Sequence, residues 1–176
     1  MQVYFMRHGQ TNFNCLSLCN DDPSRHVHLT ETGRKQAQSA ADQLKSENFQ
    51  LIITSELPRT LETAIIINQY HHAPILCNPG INDIRSGFDG FPVSDYQQAI
   101  AADPLHTSVN DGESLLEHKL RVTRFLHWLE QQPEASILVI AHDETLRVIA
   151  AYFQKLDDET MLTLSFKNCE YLRFNL

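Results

Sequence analysis

The chain begins with a short, almost continuous apolar run, Val3-Tyr4-Phe5-Met6, which ends directly in Arg7-His8-Gly9-Gln10-Thr11. A run this short and without alternation predicts a strand covered on both faces. The same pattern returns in Leu51-Ile52-Ile53, in Ile75-Leu76-Cys77 and, most strongly, in Ile137-Leu138-Val139-Ile140-Ala141. Between these runs the period changes. Ala37, Ala40, Ala41 and Leu44 recur at helical spacing behind Thr30, a plausible cap, and Glu31 brings negative charge where a helix N-terminus favours it. Pro58 suits a first helical turn, and Leu61, Ala64, Ile65 and Asn68 carry that helix toward Tyr70. A long helix is expected from Ser114 to about Gln131, with Leu115, Leu116, Leu120, Phe125, Leu126 and Leu129 as its apolar stripe. Leu146, Val148, Ile149, Ala150 and Phe153 predict another helix. At the C-terminal end, Met161-Leu162-Thr163-Leu164-Ser165 and Glu170-Tyr171-Leu172-Arg173-Phe174 read as two strands of a hairpin around Lys167-Asn168.

Two stretches follow neither period. Residues 15–28 are polar and hold the turn cluster Asn20-Asp21-Asp22-Pro23-Ser24. Residues 78–110 carry Pro79-Gly80, Gly87, Gly90, Pro92 and Pro104, with a short helix expected from Val93 to Ala102. An irregular stretch this long inside a compact domain is usually a lid or a binding loop. The alternation of strands and helices predicts an α/β three-layer sandwich, a mostly parallel central sheet with helices on both faces. A length of 176 residues suits one domain, 1–176.

Composition narrows the function classes. An apolar fraction of 42% and a charged fraction of 20% are those of a globular chain. A net charge of -8 argues against nucleic acid and against anionic membranes, since both need a concentrated basic field. A small phosphorylated molecule stays compatible, because a few local arginines outweigh the global charge. No apolar run approaches the roughly 18 residues that cross a bilayer. No basic leader precedes a hydrophobic stretch, so a cytoplasmic location is expected. Cys15, Cys19, Cys77 and Cys169 are scattered, without the second close pair that a structural zinc site wants. Free thiols are expected, with no metal and no cofactor.

The candidate chemistry sits at strand ends. His8 and His142 each follow an apolar strand, and in open α/β sheets ligands gather outside the carboxyl ends of strands, so both can face one crevice. Arg7, Arg59 and Arg147 supply planar forked donors that fit phosphate oxygens. A neutral imidazole attacking a phosphoryl group passes through a transition state whose equatorial oxygens need such a positive frame. The expected product is a phosphohistidine at His8, later hydrolysed by water. An acid held protonated near the leaving oxygen completes the requirement. Glu113 heads the long helix, where an acidic residue equally suits a helix start or an arginine partner.

Several motifs occur together and in order: Arg7-His8-Gly9-Gln10-Thr11 with Asn14; Leu29-Thr30-Glu31-Thr32-Gly33-Arg34-Lys35-Gln36-Ala37; Ser55-Glu56-Leu57-Pro58-Arg59 with Glu62-Thr63-Ala64; Gly112-Glu113-Ser114; and His142 followed by Arg147. In these the chain resembles the histidine phosphatase superfamily, in its phosphoglycerate-mutase-like small phosphatase branch. The resemblance implies a phosphoglycerate-mutase-like fold, His8 as the phosphorylated nucleophile and His142 as the histidine that steadies the transferring group. It implies Arg7 and Arg59 as phosphate clamps and Asn14 beside the substrate phosphate. Gln10, Thr11, Glu113 and Arg147 are expected to touch substrate or to support residues that do. The family's acid falls on Asp83 in Ile81-Asn82-Asp83-Ile84, where the small branch usually has glutamate. Asp143, directly after His142, is the rival, because a more distant branch uses a His-Asp pair in this way; Asp83 is favoured. Residues 15–22 depart from the family pattern, so the substrate wall is expected to differ. The implied activity is that of a metal-independent phosphomonoesterase acting on a small phosphorylated metabolite, as a monomer or homodimer. A phosphoglycerate-mutase-like phosphoryl transferase and a protein phosphohistidine phosphatase are the alternatives.

Overall fold

In the computed structural model, which describes residues 1–176, the apolar runs lie side by side in one five-stranded sheet. Its strands are β1 (Gln2–Arg7), β2 (Leu51–Thr54), β3 (Ile75–Cys77), β4 (Ser136–Ala141) and β5 (Tyr171–Asn175), in the order β3-β2-β4-β1-β5. The pairs β1–β4, β4–β2 and β2–β3 are parallel, and only β5 runs antiparallel, along β1.

Side chains alternate across a strand, and both faces of this sheet are covered. Val3, Phe5, Ile53, Ile137 and Val139 point into one core with the helices α5 (Leu115–Leu129), α6 (Asp143–Gln154) and α7 (Asp158–Thr163). Tyr4, Met6, Ile52, Leu138 and Ile140 point into a second core with α2 (Glu31–Leu44) and α3 (Pro58–Asn68). Continuous apolar runs, rather than alternating ones, are what this double coverage requires. The result is the expected three-layer α/β sandwich with a mostly parallel central sheet. No helix is long and apolar enough to cross a membrane.

The topology also decides where a ligand can sit. The chain leaves β1 toward α2 on one face and leaves the neighbouring β4 into α6 on the other. Adjacent parallel strands whose connections part in this way open a crevice at their carboxyl ends. Glycine makes the approach on one side possible: a Cβ on Gly33, in the first turn of α2, would lie 2.0 Å from the carbonyl oxygen of Gln10. The turn after His8 can therefore seat directly on that helix.

Three expectations are corrected. Residues 161–165 form no strand, and there is no C-terminal hairpin; α7 occupies Asp158–Thr163, and β5 pairs with β1 instead, Gln2 opposite Asn175. The reason is local. Asp157 caps that helix by accepting from the Thr160 amide, and Asp158 and Glu159 fill its first turn. Leu120, placed on the core stripe of the long helix, is 52% exposed and faces away from the sheet. Finally, a short helix α1 (Asn12–Leu16) forms where the sequence shows little periodicity, closed by a reciprocal capping box between Thr11 and Asn14.

The two stretches without a period hold one another. The Asp89 carboxylate accepts from the amides of Asp21 and Asp22 and from the Asn20 side chain, and Asp21 accepts from Ser86. Leu18 and Pro92 form an isolated antiparallel bridge. Between them, residues 15–22 and 83–97, which include the first turns of α4 (Val93–Ile100), build a wall over the carboxyl ends of β1 and β4.

Candidate active site

Parallel pairing sets Arg7 opposite Ala141, so the next residue of each strand is a histidine. The His8 amide donates to the Ala141 carbonyl at 3.0 Å, extending the ladder by one bond. The two imidazole centroids then stand 5.2 Å apart, both rings buried. Backbone pairing alone thus brings together two side chains separated by most of the chain.

The surroundings of His8 select its tautomer. Nδ1 lies 2.7 Å from the Gly9 carbonyl, which can only accept, so Nδ1 carries the proton. Nε2 is left with a lone pair, and Arg59 donates to it from Nε at 3.0 Å. Burial, and then the Arg59 charge, hold the His8 pKa well below the ordinary histidine value. His8 is therefore a neutral imidazole whose Nε2 lone pair accepts from a guanidinium.

Arg59 is the hub. It sits in the first turn of α3 behind Pro58 and is only 3% exposed. One terminal nitrogen, with two hydrogens to share, lies within hydrogen-bond distance of the Asp83 carboxylate (2.8 Å), Nδ1 of His142 (3.1 Å) and the Asn20 carbonyl (3.1 Å). The other donates to the Asn20 side-chain oxygen. His142 is anchored from behind, with Nε2 at 2.9 Å from the Ser55 hydroxyl. Its pKa too is held well below the ordinary value, by burial and then by Arg59.

The two candidate acids differ in what surrounds them. Asp83 follows a single 3-10 turn (Pro79–Ile81), and its carboxylate reaches Arg59 and lies 3.5 Å from Nδ1 of His142. Burial, reinforced by the negative charge of Glu144 and only partly offset by Arg59, pushes its pKa up to about 7. Asp143 instead accepts the Phe166 amide at 2.7 Å and the Arg147 guanidinium, with Arg7 at 4.0 Å. Both of its oxygens are thus engaged by donors.

The other sequence-derived candidates divide. Arg7, Thr11, Asn14 and Arg147 line the same pocket as His8, Arg59 and Asp83, a cavity of about 260 Å³. Arg7 donates to the Phe166 carbonyl at 2.5 Å, while its buried Nε and that of Arg147 find no acceptor. Unsatisfied buried donors of this kind are costly. The Asn14 amide oxygen accepts from the Thr11 amide at 3.0 Å. Gln10 lies outside the pocket and receives the Thr30 hydroxyl at 2.9 Å, which steadies the start of α2.

Glu113 also lies outside, buried at 4% exposure. It accepts from the Arg85 amide, from His118 and from Arg121, and Arg121 in turn donates to the carbonyls of Gly80, Asn82 and Asp83. Glu113 thereby braces the turn that carries Asp83. Burial raises its pKa, but hydrogen bonds from His118 and Arg121 outweigh this and lower it to about 2. Its stabilising contribution is therefore complete above the ordinary glutamate range and fades as pH falls toward about 2. Glu113→Gln is expected to cost about 3 kcal/mol of stability at neutral pH, the usual result of unpairing a buried charge. Urea unfolding at neutral pH and near pH 3, where the gap should narrow, checks this.

Three contributors carried no assigned role in the sequence reading: Ser55 behind His142, Asn20 holding Arg59, and Glu144 on the pocket wall, where Tyr96 also lies. Asn20 sits in a turn cluster, and Glu144 looks like an ordinary acid at a helix start, so neither announces itself in the sequence. No group of three or more His, Cys, Asp or Glu side chains is placed to hold a metal ion. All four cysteines are unpaired.

A switch-point crevice with two neutral histidines around one buried arginine defines a phosphoryl-handling α/β enzyme. The chain belongs to the histidine phosphatase superfamily (branch 1), whose profile it matches over residues 3–176. Its general activity class is phosphomonoesterase within that superfamily. Among solved structures, the alpha-ribazole phosphatase of Shigella flexneri is 26% identical, with a TM-score of 0.90, covering 100% of this chain and 91% of that one. A putative alpha-ribazole-5'-P phosphatase from Escherichia coli is 27% identical, with a TM-score of 0.88, covering 98% and 89%. Among curated relatives, a probable phosphoglycerate mutase, GpmB, of Photorhabdus laumondii is 28% identical, covering 98% of this chain and 84% of its own.

Proposed function

We propose that the protein hydrolyses a small phosphomonoester through a phosphohistidine at His8. The observation that carries this reading is the lone pair on His8 Nε2, fixed by the Gly9 carbonyl and aimed at the Arg59–His142 cluster. In the first step Nε2 forms a bond to phosphorus as the ester P–O bond breaks. Asp83 delivers its proton to the departing oxygen, which leaves as an alcohol. Arg7 and Arg59 meet the charge that spreads over the equatorial oxygens, and His142 steadies Arg59 by accepting from it at Nδ1. In the second step Asp83, now a carboxylate, takes a proton from water, whose oxygen attacks phosphorus as the P–N bond breaks. Inorganic phosphate departs and His8 is restored.

In the resting site Asp83 itself occupies the anion position on Arg59. Protonation at its raised pKa both frees that position and arms the acid, so one event serves both needs. Residues 78–110 act as the lid in this reading, since Asp83, Ser86 and Tyr96 reach the pocket from it. The cavity, about 260 Å³, lies just below the usual range for ligand sites, which suits a small leaving group.

A phosphate-release screen over a panel of phosphorylated metabolites, run with a chelator, tests the reading. Turnover should be indifferent to the chelator. Quenched reactions should carry one labelled phosphoryl that is lost in acid and kept in base, as a phosphoramidate is. Turnover that needs added divalent metal, or a label stable to acid, would sink the proposal.

A further inference from the structure

The charged groups that line the pocket are Arg7, Arg59 and Arg147 against Asp83, Asp143 and Glu144. Five of these six are engaged: Asp83 with Arg59, Asp143 with Arg147, and Arg7 with the Phe166 carbonyl. Glu144 makes no hydrogen bond or ion pair. It occupies the first turn of α6, where the helix N-terminus favours its negative charge. The same pocket is also lined by Leu18, Val93 and Tyr96 and by the neutral amide of Gln97.

We infer that Glu144 selects the leaving group, favouring phosphomonoesters whose alcohol carries an amine or hydroxyl beside an apolar face and rejecting those with a second anionic group. The inference rests on the phosphohistidine reading above. Its basis is charge matching. A bound phosphoryl dianion draws on Arg7 and on the Arg59 that Asp83 vacates, while Asp143 keeps Arg147. No cation is left for a carboxylate or a second phosphate, and such a group would meet Glu144 in a confined space where water screens poorly. An ammonium or hydroxyl would instead give the free carboxylate its missing partner, while Leu18, Val93 and Tyr96 cover the carbon skeleton. The reach of Glu144 shows in its neighbours, since its charge helps to raise the pKa of Asp83 and of the Tyr96 hydroxyl.

The test compares kcat/KM for phosphoethanolamine, glycerol phosphate and phosphoglycerate in the wild type and in Glu144→Gln, a change that keeps the side chain's size. Removing Glu144 also alters the acidity of Asp83, but that change multiplies all three rates alike. The ratio of amine to carboxylate substrate is blind to it. That ratio is expected to exceed roughly tenfold in the wild type and to collapse toward unity in Glu144→Gln. Glu144→Lys, a second variant, should reverse the order. An unchanged ratio across wild type, Glu144→Gln and Glu144→Lys would overturn the inference while leaving hydrolysis at His8 intact. No turnover of any ester by the wild type, with no label on His8, would instead remove the reading on which it rests.

Discussion

His8→Ala is expected to lower kcat by roughly four to six orders of magnitude, the range seen when a covalent nucleophile is deleted. The physical reason is that the neighbouring groups cannot substitute for it. His142 is turned with Nδ1 toward Arg59 and Nε2 against Ser55. Asp83 is better placed to give a proton than to attack. The acid-labile phosphoenzyme should vanish with the activity, while circular dichroism and the unfolding midpoint report whether the sheet survives the loss of a buried ring. His8→Gly supplied with free imidazole should recover part of the turnover, because the phosphate clamp of Arg7 and Arg59 stays in place. Turnover within tenfold of wild type in His8→Ala would exclude a covalent route.

Asp83→Asn is expected to lower kcat by roughly 10²- to 10⁴-fold on alkyl phosphates, the usual worth of a positioned general acid. On an aryl phosphate with a good leaving group the loss should be small, because that oxygen departs without a proton. The pH dependence follows from the sign of the shifts. The protonated form of Asp83 is the active one, so wild-type kcat/KM should fall as pH rises through about 7, and Asp83→Asn should lack that limb. His8 must be neutral, and its lowered pKa puts the acidic limb well below the ordinary histidine range. Stability obeys the same linkage. With its folded pKa raised, Asp83 binds a proton more tightly in the native state, so stability declines as pH climbs toward about 7. Asp83→Asn should accordingly raise Tm more in mildly alkaline than in acidic buffer. Asp143→Asn should weaken folding through its contacts to Arg147 and Phe166 yet leave the leaving-group dependence unchanged. If the aryl–alkyl contrast appeared in Asp143→Asn instead, the acid would be Asp143.

How much of this was legible beforehand depended on the range of the forces involved. Strands β1, β2 and β4 were readable because each is covered on both faces, which demands an unbroken apolar run, while β3 lies at the sheet edge with Leu76 and Cys77 exposed. The C-terminal region misled because Met161-Leu162-Thr163-Leu164 suits a strand by composition, while three acids ahead of it start a helix. Leu120 continued a stripe on paper but lies on the open side of its helix. The histidines and Arg59 stood out as chemistry adjacent to strand and helix boundaries. Asn20, Ser55 and Glu144 did not, since each is unremarkable among its sequence neighbours.

Patterning and motif order by themselves determined the α/β layering, the family and the pair of histidines, because periodicity and local turn chemistry act between residues close in the chain. The different surroundings of the two aspartates, the tautomer of His8 and the unpaired carboxylate in the pocket came only from tertiary structure. Each depends on which donor or charge lies within a few ångströms across the sheet ends, and contacts between residues as distant as Arg59, Asp83 and His142 exist only once the strands have paired.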